Sequence, residues 1–304
     1  AQSVEVFNNG ELTLNGVNAE SLTLNVLGDI EQTGTLNILG ATNINASFGA
    51  SINLLDPLND FNSLNVQAAG PAIINIADAN SISLADIDLN GASQGGALSV
   101  RAAAITQEEN GRILLQDGTR LNLQADYITL GANGTASVDI LGSTLNGVFT
   151  RDLNIQGVVR GGAGVAGTGL AGFYFNGSVE DNFFEVAEGA SIVGDFISGS
   201  EIHMGDGNDT ASLAGDIAIP VEGGAGQDTF VIQAPNLSVA QILGHEDQDI
   251  LVGPEADNLW VVTADGEGTL SNGTGVINFS GIDSIRGGSQ TDDFIVESLT
   301  AALQ

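Results

Sequence analysis

From Val4 to Ile155 apolar residues fall on every second position in short phrases, and this rhythm limits what the chain can become. Leu12-Thr-Leu14, Leu22-Thr-Leu24-Asn-Val26, Leu36-Asn-Ile38, Leu64-Asn-Val66, Ile82-Ser-Leu84, Leu98-Ser-Val100, Leu121-Asn-Leu123 and Val138-Asp-Ile140 all follow it. Successive side chains of a strand point to opposite faces, so each phrase reads as a strand with one buried side. Asparagine and glycine separate the phrases, as turns require. No stretch is a convincing helix, and helical spacing shows only in Pro235 to Leu243, the one place where a short helix could form. Many short strands allow a sandwich, a barrel or a solenoid. Two features favour the solenoid. The phrase Leu24–Gln32 returns in altered form at Leu98–Gln107, and asparagine sits inside strands at Asn25, Asn37, Asn53, Asn65 and Asn75. Stacked coils can align such residues into amide ladders. The expected fold is all-β, a parallel β-helix or β-solenoid.

A second pattern occupies the C-terminal half. Gly223 to Ile232 reads GGAGQDTFVI, which fits the nonapeptide pattern G-G-x-G-x-D-x-U-x at every defined place. Glycines let the backbone curl so that carbonyl oxygens converge, and Asp228 adds a carboxylate. Oxygen ligands of this kind suit calcium. Weaker copies are GDGNDTASL from Gly205 and GGSQTDDFI from Gly287, with Asp209 and Asp292 in the aspartate place. GHEDQDIL, GPEADNL and GSVEDNF keep one glycine and supply Asp249, Asp257 and Asp181. Asp209, Asp228 and Asp249 lie 19 and 21 residues apart, a solenoid period that would stack them along one edge. The candidate metal ligands are therefore Asp209 and Asp228 with carbonyls of Gly205, Gly207, Gly223 and Gly226, and then Asp249 and Asp292. The phrases resemble the calcium-binding repeats of repeats-in-toxin proteins, although here they are isolated rather than in tandem. The alternative is that glycine-aspartate-asparagine turns close the coils without a metal.

A third set of phrases lies between Glu11 and Gly134: GDIEQTGTLNILGATNI, SINLLDPLNDFNSLNV, IINIADANSISLADIDLNG and GGALSVRAAAITQ. They resemble the repeat text of filamentous-haemagglutinin-type exoproteins. That resemblance implies a right-handed parallel β-helix, secretion, and a cell-surface or adhesive role. The characteristic amino-terminal secretion domain of that family is not found in the text.

Composition narrows the partners. The net charge is −32, there is no lysine, and the six basic residues are all arginine. Such a surface repels nucleic acid and anionic membranes. No run is long and apolar enough to span a membrane as a helix. There is no cysteine, hence no disulfide framework. The opening Ala1-Gln2-Ser3 resembles what signal-peptide cleavage leaves, which points outside the cell. The glycine-rich run RGGAGVAGTGLAG marks the expected organisation: a haemagglutinin-repeat-like β-helix over 1–159, a linker or loop over 160–172, and a solenoid with glycine-aspartate turns of the calcium β-roll kind over 173–304.

No catalytic constellation stands out. Arg286 lies near Asp283, Asp292 and Asp293, but an arginine among solvated carboxylates is ordinary. His203 and His245 lack metal spacing. The expectation is a non-enzyme: a secreted structural protein that self-associates end to end into a filament, sheath or matrix stabilised by calcium. The alternative is an adhesin, or part of one, that binds host cells, other bacteria or glycans. A polysaccharide-active enzyme is a distant third.

Overall fold

A computed structural model describes residues 2–91, 95–165 and 169–297. They form a parallel β-solenoid of about 10 turns. The described residues hold 29 strands, one 3-10 turn at Ala132–Gly134 and no α-helix. Two compact units divide the chain: residues 1–148, 157–173 and 194–197 form the first, and residues 149–156, 174–193 and 198–304 the second.

In the first unit the alternating phrases stack in register. Leu22 pairs with Thr42, Thr42 with Leu64 and Leu64 with Leu84. Next to this column run Leu24, Ile44, Val66 and Ile87. All eight are at most 2% exposed. Burying an aliphatic side chain in this way stabilises by roughly 1.5–3 kcal/mol, so the interior columns carry the fold. The outward residues of these and neighbouring strands include the expected amide rungs, such as Asn45 to Asn25 at 2.9 Å and Asn75 to Asn53 at 2.8 Å.

The second unit repeats this logic with aromatic residues. Phe184, Ala211, Phe230 and Leu251 form one interior column, all fully buried. Ala211 lies between two phenylalanines, so a small residue offsets two large ones and keeps the layers dense. Where Ile250 pairs with Ser284, the intervening chain makes an antiparallel excursion. Asn258–Ala264 pairs with Glu267–Asn272, which pairs with Gly275–Ser280. Trp260 is fully buried there, stacked on Phe294 at 5.9 Å and edge-on to Phe279 at 6.2 Å.

Two local expectations change. Pro235 to Leu243 is not a helix, since strand Val239–His245 occupies its second half. A register shift between Val239 and Ile242 turns both inward despite their helix-like spacing. The glycine-rich run begins inside strand Val158–Gly162, where Arg160 pairs with Asp139 and Gly161 with Ile140. Glycine is needed there, because a Cβ on Gly161 would lie 2.6 Å from the Phe196 ring. Residues 166–168 of that run and 298–304 of the tail lie outside the described residues.

Candidate functional site

The glycine-aspartate phrases of the second unit come together as a stack. In D-x-U the aspartate and the apolar residue are two positions apart, so the strand period turns both toward the same face. Asp228 therefore points inward with Phe230, and Asp209 with Ala211. Asp209, Asp228 and Asp249 are 1%, 0% and 0% exposed. Each stands immediately before a strand, and those strands pair in parallel: Phe183 with Thr210, Thr210 with Thr229, Thr229 with Ile250. The stack is bonded rung to rung. The N–H of Asn182 donates to Asp209 Oδ1 at 2.6 Å, that of Asp209 to Asp228 Oδ1 at 2.9 Å, and that of Asp228 to Asp249 Oδ1 at 2.8 Å. The N–H of Asp249 continues to Asp283 Oδ2 at 3.2 Å.

The second carboxylate oxygen is a different matter. Oδ2 of Asp209, of Asp228 and of Asp249 is buried and has no hydrogen-bond partner. An unsatisfied buried acceptor costs about 1–3 kcal/mol, and more when charged. Burial accordingly pushes the Asp209 carboxyl up to about 7 and the Asp228 carboxyl to about 6, and it raises that of Asp249. The neighbouring aspartate of the stack raises Asp209 and Asp228 further, while the backbone N–H bonds pull the other way. Like charges one strand spacing apart, about 4.8 Å, favour a bound proton or cation.

Glycine has two separate duties at these corners. Five residues before the aspartate it makes room: a Cβ on Gly223 would lie 2.0 Å from Asp228 Oδ2, and on Gly244 2.4 Å from Asp249 Oδ2. Met204 holds that place before Asp209, so the rule is not absolute. The curl itself comes from positive φ at Gly205 and Gly207, then at Gly224 and Gly226. Gly224 thus does the turning and Gly223 the making of room. In the next coil His245 (φ 81°) and Asp247 (φ 80°) take the same two places, an uncommon conformation for residues with a side chain. The carbonyl oxygens of Gly205 and Gly207 lie against the Cα atoms of Gly224 and Gly226, so close that a Cβ on either would overlap them.

Asp292 belongs to a second, shorter stack. It pairs with Asn258, whose Nδ2 donates to its Oδ1 at 2.7 Å, and Trp260 Nε1 donates to the same oxygen at 3.4 Å. Two weaker phrases are read one residue too early in the sequence. The inward residue of GSVEDNF is Asn182, and that of GPEADNL is Asn258, each 3% exposed. Asp181 and Asp257 point outward and accept the N–H of Asn208 at 2.8 Å and of Thr291 at 3.1 Å. Spacing alone does not mark the right residue, since Asp181 and Asp257 stand two positions before Phe183 and Leu259; it is Phe184 and Trp260 that are buried, and Asn182 and Asn258 share their face.

For a cation, then, the stack offers one free carboxylate oxygen per coil. Among the described residues no three His, Cys, Asp or Glu side chains are grouped to hold a metal ion. A hard cation here would draw its remaining ligands from main-chain carbonyls and water. Among the described residues no helix is long and apolar enough to cross a membrane.

Comparison with known families touches the other unit. Residues 1–68 and 74–144 match a family described as repeats of unknown function (DUF5649). These two blocks coincide with stacked coils of the first unit. The match makes that part of the chain similar to a repeat family and, with the coil stacking, supports a repeat β-helix protein. No curated protein and no solved structure matches the chain.

Proposed function

We propose that this chain is a non-catalytic, extracellular structural solenoid whose coils build a cell-surface filament, sheath or matrix, with calcium neutralising the buried aspartate stack. The observation that carries the reading is the coil edge. Strand Ser3–Asn8 pairs with Ser21–Val26 on one side, and no other described strand pairs with it. Strand Asp292–Val296 pairs with Asn258–Ala264 and is likewise an edge among the described residues, with Phe294, Ile295 and Val296 about half exposed. An open parallel edge offers the same N–H and C=O row that joins coils within the chain. A further coil extends the ladder, whether it comes from the same polypeptide or from a second copy.

The charge of −32 suits an exterior location, where salt and divalent cations screen repulsion between copies. The resemblance to filamentous-haemagglutinin-type repeats points the same way. Calcium on the free Oδ2 atoms of Asp209, Asp228 and Asp249, bound by the folded state alone, would stabilise the stack by mass action. Sedimentation of the full chain with chelator and with millimolar calcium, followed by electron microscopy, tests the reading. Calcium-dependent association into elongated particles is expected. A monomer at every concentration, with a melting temperature indifferent to chelator, would overturn it.

A further inference from the structure

The first unit carries a surface feature that stacking does not require. A groove of about 510 Å³ crosses several coils, and Asn75, Asn122 and Asn146 line it together with Leu55, Arg101 and Val148. Its floor is built on an amide ladder. Asn75 Nδ2 donates to Asn53 Oδ1 at 2.8 Å, and Asn53 Nδ2 donates to Glu31 Oε1 at 2.7 Å. Farther along, Asn146 Nδ2 donates to Asn122 Oδ1 at 2.9 Å, and Asn122 Nδ2 donates to Ser99 Oγ at 3.2 Å. The register joins the two runs, since Asn75 pairs with Ser99 and Ser99 with Asn122.

An amide has two N–H donors and two acceptor lone pairs. At Asn122 the ladder engages one N–H and one lone pair. One donor and one acceptor therefore remain for a ligand, already held in place by the rungs above and below. A site fixed before binding loses little side-chain freedom when it is filled. The rungs repeat at the strand spacing of about 4.8 Å. Leu55 and Val148 are 53% and 43% exposed beside the amides, so the groove combines hydrogen-bonding groups with aliphatic surface. Arg101 is the only charged side chain among its lining residues.

A ligand matched to this surface is uncharged, extended, and polar at its edges with C–H faces between. It carries hydroxyls that both donate and accept, at a repeat of the same order as the coil spacing. Polyanions are disfavoured by the net charge of −32. We infer that this groove binds a neutral linear polysaccharide laid across the coils, with hydroxyls on the amides of Asn75, Asn122 and Asn146 and C–H faces on Leu55 and Val148. This goes beyond the scaffold role and does not depend on it.

The test is native affinity electrophoresis of the full chain in chelator, through gels cast with hydroxyethyl cellulose, mixed-linkage β-glucan or galactomannan. Polygalacturonate gels serve as the polyanion arm. Retardation by at least one neutral polymer and none by polygalacturonate is expected. Leu55→Asp and Val148→Asp, both at exposed positions, are expected to weaken it at least tenfold, and Asn122→Ala to weaken it further than Asn45→Ala, which lies outside the groove. Melting curves check that the variants fold. No retardation in any neutral gel, equal retardation by polygalacturonate, or undiminished retardation of both aspartate variants would overturn the inference. Because the gels contain chelator, failure here leaves the calcium-dependent assembly test untouched.

Discussion

The two units solve one problem with different chemistry. In the first, the buried polar residues that tie coils together include amides. Asn59 is fully buried; it accepts the N–H of Leu36 at 2.8 Å and donates to the carbonyls of Leu54 and Ala77, both at 3.2 Å. Gln107 is also fully buried; it accepts the N–H of Gly131 at 2.8 Å and donates to Gly111 and Ser137 carbonyls at 3.0 and 2.9 Å. In the second unit the equivalent work falls to Asp209, Asp228 and Asp249, each with one bonded oxygen and one orphan. An amide both donates and accepts, whereas a carboxylate only accepts. The Asn59 and Gln107 corners are complete as folded, whereas Oδ1 of Asn258 in the second unit is buried without a partner; the carboxylate corner needs a proton or a cation to be complete. Asp78 shows that burial alone is not the distinction. It lies in the first unit at 7% exposure, yet both oxygens accept backbone N–H groups, from Phe61 at 2.6 Å and Asn80 at 2.9 Å.

The contrast concerns corners, so core deletions should not reveal it. Phe61→Ala in the first unit and Phe230→Ala in the second remove fully buried rings, and each is expected to cost about 3–5 kcal/mol in urea unfolding. A loss confined to one unit would mean that the interiors differ too. A smaller effect separates the corners. Gly223→Ala forces a methyl against Asp228 Oδ2, whereas Gly10→Ala meets nothing within 4 Å. The first is expected to cost roughly 1–3 kcal/mol and the second close to nothing, again by urea unfolding. Smaller still, and graded, is the response to pH without divalent cations. The folded carboxyls of Asp209 and Asp228 sit at about 7 and about 6, above the ordinary 3.8. The folded state thus binds protons that the unfolded state has released, and stability falls as pH rises from 3.8 through 7. Hydrogen exchange across that range should show the second unit's corners loosening on the alkaline side while the Gln107 corner of the first unit holds. An equal response in both would remove the distinction.

Much of the architecture was readable in the text. Period-two phrases marked the strands, and the 19- and 21-residue intervals between aspartates marked the coils. The inward turn of Asp228 was also readable, since it shares a face with Phe230, but a ligand motif draws attention to the carboxylate and away from the period. Hydrogen-bond saturation was not readable. Whether an aspartate keeps one free oxygen, as Asp228 does, or none, as Asp78 does, depends on which backbone N–H groups the stacked coils supply. The antiparallel excursion also had a signal in the text: Asp265-Gly266 and Gly273-Thr274 form its two-residue loops, and both glycines have positive φ. The strand at Val239–His245 had none, because its register shift gives Val239 and Ile242 the spacing of a helix.

The central claim is that a charge demand is built into the second unit's corners, and Asp228→Asn tests it most directly. Asn182 already stands in the same stack, with its Nδ2 donating to the Glu180 carbonyl at 2.8 Å, so the place accepts an amide. Thermal unfolding of wild type and variant is compared in mildly alkaline buffer, with chelator and with millimolar calcium. The expected result is a variant that melts higher than wild type in chelator and gains less from calcium. A variant that melts lower in chelator, with calcium moving both proteins equally or neither, would contradict it.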